Sequence, residues 1–142
     1  MRRAGSVSDS VRSVRALAII VGGMDAEFAL NFADEWVAGW NSHDLERILT
    51  HYADDVMFSS PHIIERLGKP SGEVHGKDEL RAYFGSGLQG ESDLHFTLED
   101  VRFSVDTVVI NYRNQRNHAV AEVLRFRDGL VIWGCGAYAP QR

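Results

Sequence analysis

The segment AEVLRFRDGLVIWGC, residues 121–135, decides the predicted fold of this chain. Its Asp128-Gly129 pair is a strong two-residue turn signal between apolar runs, so the segment predicts a β-hairpin. Counting outward from that turn places Glu122 opposite Cys135. Residues that lie directly opposite each other share a face of the sheet. Glu122 is therefore expected to share its face with apolar residues, namely Leu124, Phe126, Val131, Trp133, Cys135 and Ala137.

A second predicted hairpin supplies partners for this carboxylate. The segment YRNQRNHAV, residues 112–120, is expected to turn at Arg116-Asn117, which is a weaker signal than Asp-Gly. That register puts Asn111 directly across from Glu122 and Arg113 diagonally across from it. Two interpretations of Glu122 follow. It is either a buried acid held by Arg113 or Asn111, or a functional group that points into a pocket.

The opposite face of this predicted sheet is also rather apolar. It carries Ile110, Tyr112, Ala121, Val123, Ile132 and Tyr138. A sheet with two apolar faces needs two covers. Helices are expected to cover the first face by packing on Leu124, Phe126 and Trp133. A second copy of the chain is expected to cover the other, in a homodimer whose contact lies near Ile110, Tyr112, Val123 and Ile132.

Helical patterns precede these strands. Aromatic residues recur at four-residue steps, as Phe28, Phe32, Trp36 and Trp40, and predict one broad apolar helix face. Asp44 is a suitable N-cap for a second helix, residues 56–60 form a short predicted strand, and residues 61–76 are predicted as a loop. A third helix carries Leu80, Tyr83 and Phe84. Strand patterns follow over residues 94–105, 107–115, 118–127 and 130–139, so the order of elements indicates an α+β fold.

Composition excludes several classes of protein. The 142 residues carry a net charge of -5 and no basic stripe, so nucleic acid is not an expected partner. One cysteine excludes an internal disulfide and favours a reducing cytoplasm as the location. No spacing matches a metal site or a cofactor-binding loop, and no apolar run predicts a membrane span. We therefore expect no cofactor, no metal and no membrane association.

Residues 1–23 differ from the rest of the chain. They hold four arginines and four serines, with a short apolar run at residues 16–21. Three interpretations compete: a disordered tail, a weak targeting segment, or an over-extended gene start with Met24 as the natural initiator. The first and third are favoured over targeting, and the predicted folded domain covers residues 24–142.

Several motifs resemble the nuclear transport factor 2-like superfamily, and within it the SnoaL-like and ketosteroid-isomerase-like branches. They are WNSHDL at residues 40–45, YADDV at residues 52–56 and RFRDGLV at residues 125–131. The resemblance covers residues 25–139. It implies a cone in which three N-terminal helices pack on a strongly curved antiparallel sheet around an apolar pocket. It also implies dimerisation through the outer face of the sheet.

The same resemblance does not carry a reaction with it, because fold does not imply function. Ketosteroid isomerases use a carboxylate after the first strand, an aromatic hydroxyl on the first helix and a protonated acid on a late strand. By matching segments, these positions fall on Ser60, Trp36 and Glu122. Glu122 keeps the chemistry of its position, whereas serine is no base by itself and an indole offers only an N–H donor. Steroid isomerisation by that mechanism is therefore not expected.

The remaining candidates follow from their placement near the predicted pocket. Glu122 and His62 are the catalytic candidates, because burial can raise the pKa of a carboxyl and a histidine can act as acid or base near neutral pH. The alternative for His62 is an exposed loop residue without a functional role. The ligand-binding candidates are Trp36, Trp40, Tyr52, Phe58, Ser60, Asn111, Arg113 and Trp133.

Two functions from different classes remain open on this basis. The first is a cofactor-independent acid–base enzyme of the isomerase, cyclase, dehydratase or hydrolase type, acting on a small apolar or carbonyl-containing molecule. The second is a non-catalytic module that binds a ligand or forms a dimer. An open pocket that reaches an intact polar cluster would favour the first.

Overall fold

A computed structural model describes residues 24–142, and the predictions for residues 1–23 lie outside the described residues. The helices within this part are α1 (Ala26–Ser42), α2 (Leu45–Leu49), α3 (Pro61–Leu67) and α4 (Lys77–Gly90). The strands are β1 (Tyr52–Ser59), β2 (Glu73–His75), β3 (Thr97–Phe103), β4 (Thr107–Arg113), β5 (Ala119–Arg127) and β6 (Leu130–Tyr138). None of the helices described is long and apolar enough to cross a membrane.

The helical spacing seen in the sequence forms α1. Asp25 caps its start by accepting a hydrogen bond from the backbone N–H of Phe28 at 2.9 Å. The apolar face includes Phe32, Trp36 and Trp40, and these side chains are buried against the sheet. Asp44 caps the short helix α2 as predicted, because its carboxylate accepts from the N–H of Arg47 at 3.2 Å.

Helix α3 corrects the prediction of a loop at residues 61–76. Ser60 is its N-cap, Pro61 lies in its first turn and Gly68 ends it in the left-handed conformation with φ 64°. These are common start and stop residues of a helix, since proline lacks an N–H that the first turn leaves unpaired and glycine tolerates positive φ. The seven-residue helix is too short to show an apolar repeat, and its turn residues were interpreted as a loop.

The six strands form one sheet in the order β2-β1-β6-β5-β4-β3. Strands β1 and β6 pair in parallel, and the other neighbours pair antiparallel, so the sheet is mixed. The helices pack on one face of this sheet, and the buried core lies between them. The predicted α+β architecture is confirmed, and it is consistent with a cone that is open along one side.

The predicted register of β5 and β6 agrees with the structure next to the turn and differs from it farther along the strands. Phe126 pairs with Val131 as predicted, but Arg125 pairs with Trp133, so Ile132 is an additional residue in β6. Such a bulge moves every later residue of the strand to the opposite face. Glu122 therefore lies opposite Gly136, and the predicted pairing with Cys135 is wrong.

This bulge also exchanges the residues that β6 presents to the helices. Gly134, Gly136 and Tyr138 share the inner face with Glu122 and Leu124. The predicted inward position of Trp133 is wrong, and the same correction applies to Cys135 and Ala137, which pair on the outer face with Val123 and Ala121.

The register of β4 and β5 is also one residue away from the prediction. Arg113 pairs with Ala119, so residues 114–118 form a longer connection than the predicted two-residue turn. Ile110 consequently lies opposite Glu122. Ile110 and Tyr112 are 0% and 4% exposed in the core, which contradicts their prediction as outer-face dimer contacts.

The predicted polar partners of Glu122 point away from it for the same reason. Arg113 binds Glu99, with Nε and Oε2 2.9 Å apart, and Asn111 Nδ2 lies 3.5 Å from Asp100 Oδ2. The prediction that Arg113 or Asn111 holds Glu122 is therefore wrong.

Candidate functional site

A cavity of about 220 Å³ lies between the inner face of the sheet and helices α1, α3 and α4. Its interior wall is mainly aromatic and is formed by Trp36, Trp40, Phe58, Tyr83, Phe84, Phe96, Tyr112 and Tyr138. The rings contact one another at their edges and faces; Phe96 and Tyr112, for example, have centroids 4.3 Å apart. Aromatic pairs gain stability in offset and edge-to-face arrangements, so these ring contacts stabilise the cavity wall.

Glu122 is the carboxyl group of this aromatic interior. Its side chain reaches the cavity from β5, and the residue is only 5% exposed. The Tyr112 hydroxyl donates to Oε1 at 3.4 Å, and no basic side chain among residues 24–142 forms an ion pair with Glu122. The burial of the carboxylate raises its pKa to about 8, although the hydrogen bond from Tyr112 acts in the opposite direction. Burial thus favours the protonated form of this carboxyl.

Three tyrosine hydroxyls share the cavity with this carboxyl. Burial raises the pKa of Tyr83 to about 12, and it raises the pKa of Tyr112 and Tyr138 well above the ordinary value. The charge of Glu122, when present, raises all three further. The tyrosines consequently remain neutral hydroxyl groups at physiological pH. They are able to donate hydrogen bonds to a ligand oxygen.

Gly134 permits the close packing below the cavity. A Cβ atom at this position would lie 2.9 Å from Cδ2 of Leu124 and 3.0 Å from the ring of Phe58. Real Cβ atoms do not approach other heavy atoms so closely. The absence of a side chain thus allows Phe58, which lines the cavity, and Leu124 to pack closely over β6.

Charged side chains surround the entrance to this cavity. Glu91 follows α4, where it binds Arg116 with Oε2 and Nη2 2.9 Å apart and approaches Arg66 at 3.9 Å. At the start of α3, His62 Nδ1 lies 2.8 Å from Oε1 of Glu65. The entrance is therefore polar, whereas the interior is aromatic with a single carboxyl group.

Two polar atoms in residues of the cavity wall have no hydrogen-bond partner within the described part of the chain. They are the indole Nε1 of Trp40 and the amide Oε1 of Gln115, and both are buried. A buried polar atom without a partner costs about 1–3 kcal/mol. The cavity wall thus contains one hydrogen-bond donor, in Trp40, and one acceptor, in Gln115, that are available to a bound ligand.

The structure brings together half of the residues singled out from the sequence. Those that line the cavity are Trp36, Trp40, Phe58, His62 and Glu122. The ring of His62 also packs edge-on against Tyr138, with centroids 4.7 Å apart.

The other predicted ligand-binding residues do not line the cavity. Tyr52 is buried behind the wall, where its hydroxyl accepts a hydrogen bond from Trp36 Nε1 at 3.0 Å. Ser60 is buried as the N-cap of α3, and its hydroxyl accepts from the N–H of His62. Asn111, Arg113 and Trp133 lie on the outer face of the sheet as a result of the register changes.

Sequence reasoning missed several residues of the site. Tyr112 and Tyr138 were assigned to the outer face by the predicted registers. Tyr83 and Phe84 were recognised as the apolar side of a helix, but nothing in their spacing marked them as cavity residues. The entrance residues Arg66, Glu91 and Arg116 come from three separate parts of the chain and share no motif.

The residues of this site offer no obvious means to hold a metal. Across residues 24–142, no group of three or more histidine, cysteine, aspartate or glutamate side chains is arranged to bind an ion.

The sequence and the fold both match known proteins. The model of the SnoaL-like domain family matches residues 33–133. A crystal structure of a SnoaL-like protein of unknown function from Burkholderia thailandensis is 39% identical, with a TM-score of 0.78, and the match covers 82% of this chain and 98% of that one. Comparison with curated proteins gave no match.

More distant structures share the fold. TerC, co-crystallised with polyporic acid, is 16% identical with a TM-score of 0.65, and the match covers 79% of this chain and 92% of that chain. AclR from Streptomyces galilaeus is 21% identical with a TM-score of 0.63, over 81% of this chain and 91% of that chain. The family model spans well over half of the sequence, and we conclude that the chain belongs to the SnoaL-like domain family.

Proposed function

We propose that this protein binds a small, flat, carbonyl-containing molecule in its aromatic cavity and transfers a proton through Glu122 without a cofactor. The observation that carries the proposal is the carboxyl of Glu122, which is buried in an aromatic cavity and has a pKa of about 8. A carboxyl that titrates close to neutral pH exists in both forms there, so it can both take and return a proton. The co-crystallisation of TerC with polyporic acid supports a small-molecule ligand for this fold.

The chemistry follows from the two forms of Glu122. In its neutral form, the acid can donate a hydrogen bond to a carbonyl oxygen, as can the hydroxyl groups of Tyr112 and Tyr138. In its ionised form, the carboxylate can remove a proton from the carbon next to that carbonyl. The electron pair of the broken C–H bond forms a C=C bond to the carbonyl carbon, and the π electrons of the C=O bond move to the oxygen, where a tyrosine hydroxyl stabilises the developing charge. Return of the proton to the same or another carbon completes the transfer.

His62 is the second proton-transfer group of this proposal. It lies at the entrance, where its ring contacts Tyr138 and pairs with Glu65. A histidine at this position can pass protons between solvent and the cavity. The partner Glu65 is exposed to solvent, so His62 lies at the wet end of the cavity and not beside the buried carboxyl. We therefore assign His62 a supporting role in the proton transfer by Glu122.

The proposal can be tested with 1-indanone, a flat ketone, and indane, the same ring system without the carbonyl. Trp36 and Trp40 line the cavity, whereas Trp133 lies on the outer face. NMR titration should therefore shift the indole signals of Trp36 and Trp40 and leave that of Trp133 unchanged. We expect tighter binding of 1-indanone than of indane, since only the ketone can accept a hydrogen bond.

Proton transfer is measured with the same ketone in deuterated water. The protein should accelerate exchange of deuterium into the carbon next to the carbonyl of 1-indanone. Glu122→Gln keeps the shape of the side chain and removes the acid, so it should abolish this exchange while binding persists. The matched control is Asp106→Asn, which removes a carboxylate outside the cavity. Unchanged exchange in Glu122→Gln would refute the catalytic role, and binding without exchange in the natural protein would favour the non-catalytic alternative.

Self-association through the outer sheet face remains our proposal for the assembly. The corrected register gives this face the half-buried residues Val109, Val123 and Trp133, with Cys135 beside them. Such a surface favours a second copy of the same chain. Light scattering should give a dimer mass at micromolar concentration, and Val123→Glu should give a monomer mass. A monomer mass for the natural protein would contradict the proposal.

A further inference from the structure

Gly136 lies directly across from the proposed catalytic carboxyl. It pairs with Glu122 in the register of β5 and β6, it is buried, and it forms part of the cavity wall. Its backbone does not have the positive φ that would require glycine, unlike Gly129 in the adjacent turn. The conformation of the strand therefore permits any L-residue at this position, although glycine weakens a strand.

The space beside Gly136 also permits a side chain. A Cβ atom there would lie 3.6 Å from Oε1 of Glu122 and 3.4 Å from the hydroxyl oxygen and Cε1 of Tyr138. These are ordinary van der Waals distances, in contrast to the clashes at Gly134. Packing therefore disfavours a side chain at position 134 and accommodates a Cβ atom at position 136.

Glycine at position 136 leaves open space beside the Glu122 carboxyl and the Tyr138 hydroxyl. A methyl group there would contact both Oε1 of Glu122 and the Tyr138 hydroxyl, and it would occupy space beside these two groups in the cavity wall. The same methyl group would leave the aromatic wall formed by Trp36, Trp40 and Phe84 unobstructed.

We infer that Gly136 is the specificity-determining residue of the cavity. It admits the planar carbonyl group of a ligand to Glu122 and Tyr138, and any larger residue would exclude that group while still allowing an apolar ring to bind. The inference rests on the function proposed above, because it assumes that the ligand reaches Glu122 through a carbonyl. The substrate class that it names is a ketone whose carbonyl lies at the edge of a flat ring, with no bulky group beside it.

The test compares the preference for 1-indanone over indane in three proteins. These are the natural protein, Gly136→Ala and the control Ala137→Ser. The control adds one heavy atom to the next residue of β6, which is exposed on the outer face. We expect the preference to fall at least fivefold in Gly136→Ala and to stay within twofold in the control. Indane affinity should change less than twofold in both variants.

The measurement separates specificity from simple damage to the fold. The unshifted indole signal of Trp133 and the melting temperature report whether each variant is folded. Gly136→Ser adds a hydroxyl group at the same place and provides a second variant with the same expected loss of preference.

Each outcome decides the inference. A natural protein that prefers 1-indanone, with the preference kept in Gly136→Ala, overturns the role of Gly136 and leaves the proposed function standing. Equal loss of both ligands shows that the added methyl group only fills the cavity, and it also overturns the role in specificity. A natural protein without any preference for the ketone overturns the proposed function, and the inference with it.

Discussion

Two carboxyl groups close to β5 have pKa values that are shifted in opposite directions. Asp106 lies at the surface, where Arg125 Nε is 2.9 Å from its Oδ2. The hydrogen bond from Arg125 and a second one from Thr107 lower the pKa of Asp106. Glu122, on the inner face, has the Tyr112 hydroxyl as its hydrogen-bond partner, and burial raises its pKa to about 8.

The difference shows that the surroundings of a carboxyl group determine its pKa. A carboxylate in water gains from a nearby guanidinium, so it stays ionised. A carboxyl behind aromatic side chains loses the hydration that its charged form needs, so it keeps its proton. The first arrangement suits the surface of a protein, and the second suits a group that exchanges protons with a ligand.

The largest expected effect is a dependence of stability on pH that comes from Glu122. The ordinary pKa of this carboxyl is 4.5, and its pKa in the folded protein is about 8. Between these values the folded state holds a proton that the unfolded state has lost. The free energy of unfolding therefore falls as pH rises through this window, by on the order of 5 kcal/mol in total.

Glu122→Gln removes this contribution, because its amide does not titrate. Urea denaturation of both proteins at pH values from 5 to 9 should show that the variant loses much less stability than the natural protein as pH rises. Parallel curves would mean that Glu122 has an ordinary pKa, and the contrast with Asp106 would disappear.

A smaller effect is expected from the hydrogen bond between Tyr112 and Glu122. This bond stabilises the ionised carboxylate, so it opposes the effect of burial. Tyr112→Phe should raise the pKa of Glu122 further, by an amount that corresponds to about 1 kcal/mol for a single hydrogen bond. The titration of the labelled side-chain carboxyl can be followed by carbon NMR.

Tyr83→Phe is the matched control for that measurement. It removes a buried hydroxyl from the same cavity, but Tyr83 forms no hydrogen bond with Glu122. A lower pKa in Tyr112→Phe, or an equal rise in both variants, would show that the Tyr112 hydroxyl does not stabilise the carboxylate.

The smallest effect is expected at the surface pair. Asp106→Asn breaks the contact with Arg125, but both side chains remain in water and salt already screens their attraction. The melting temperature should fall only slightly, and the difference from the natural protein should shrink further in 0.5 M salt. A large, salt-independent loss would show that the contact between Asp106 and Arg125 stabilises the fold far more than an exposed ion pair does.

Local patterns in the sequence predicted a substantial part of this fold. The four-residue steps of Phe32, Trp36 and Trp40 predicted the buried face of α1, since helical periodicity depends only on neighbouring residues. The Asp128-Gly129 turn and the alternation of β5 likewise placed Leu124 and Glu122 on the inner face.

The registers of the neighbouring strands could not be predicted in the same way. The bulge at Ile132 has no turn residue or glycine to mark it, yet it determines that Gly136 and Tyr138 face the site in place of Cys135 and Ala137. The connection at residues 114–118 similarly decides that Tyr112 contacts Glu122 in place of Asn111. Because side chains alternate along a strand, one additional residue is enough to exchange the two faces.

The sequence by itself determined which strand carries an acid among apolar residues, and it determined the family through its local motifs. The tertiary structure decided the surroundings and the pKa of that acid. The rings of Trp36, Phe84 and Tyr112 come from α1, α4 and β4, and they line one cavity with Glu122 only when these elements pack together. The pKa of a carboxyl depends on the water and charge that remain within a few ångströms of it, and those neighbours are distant in sequence.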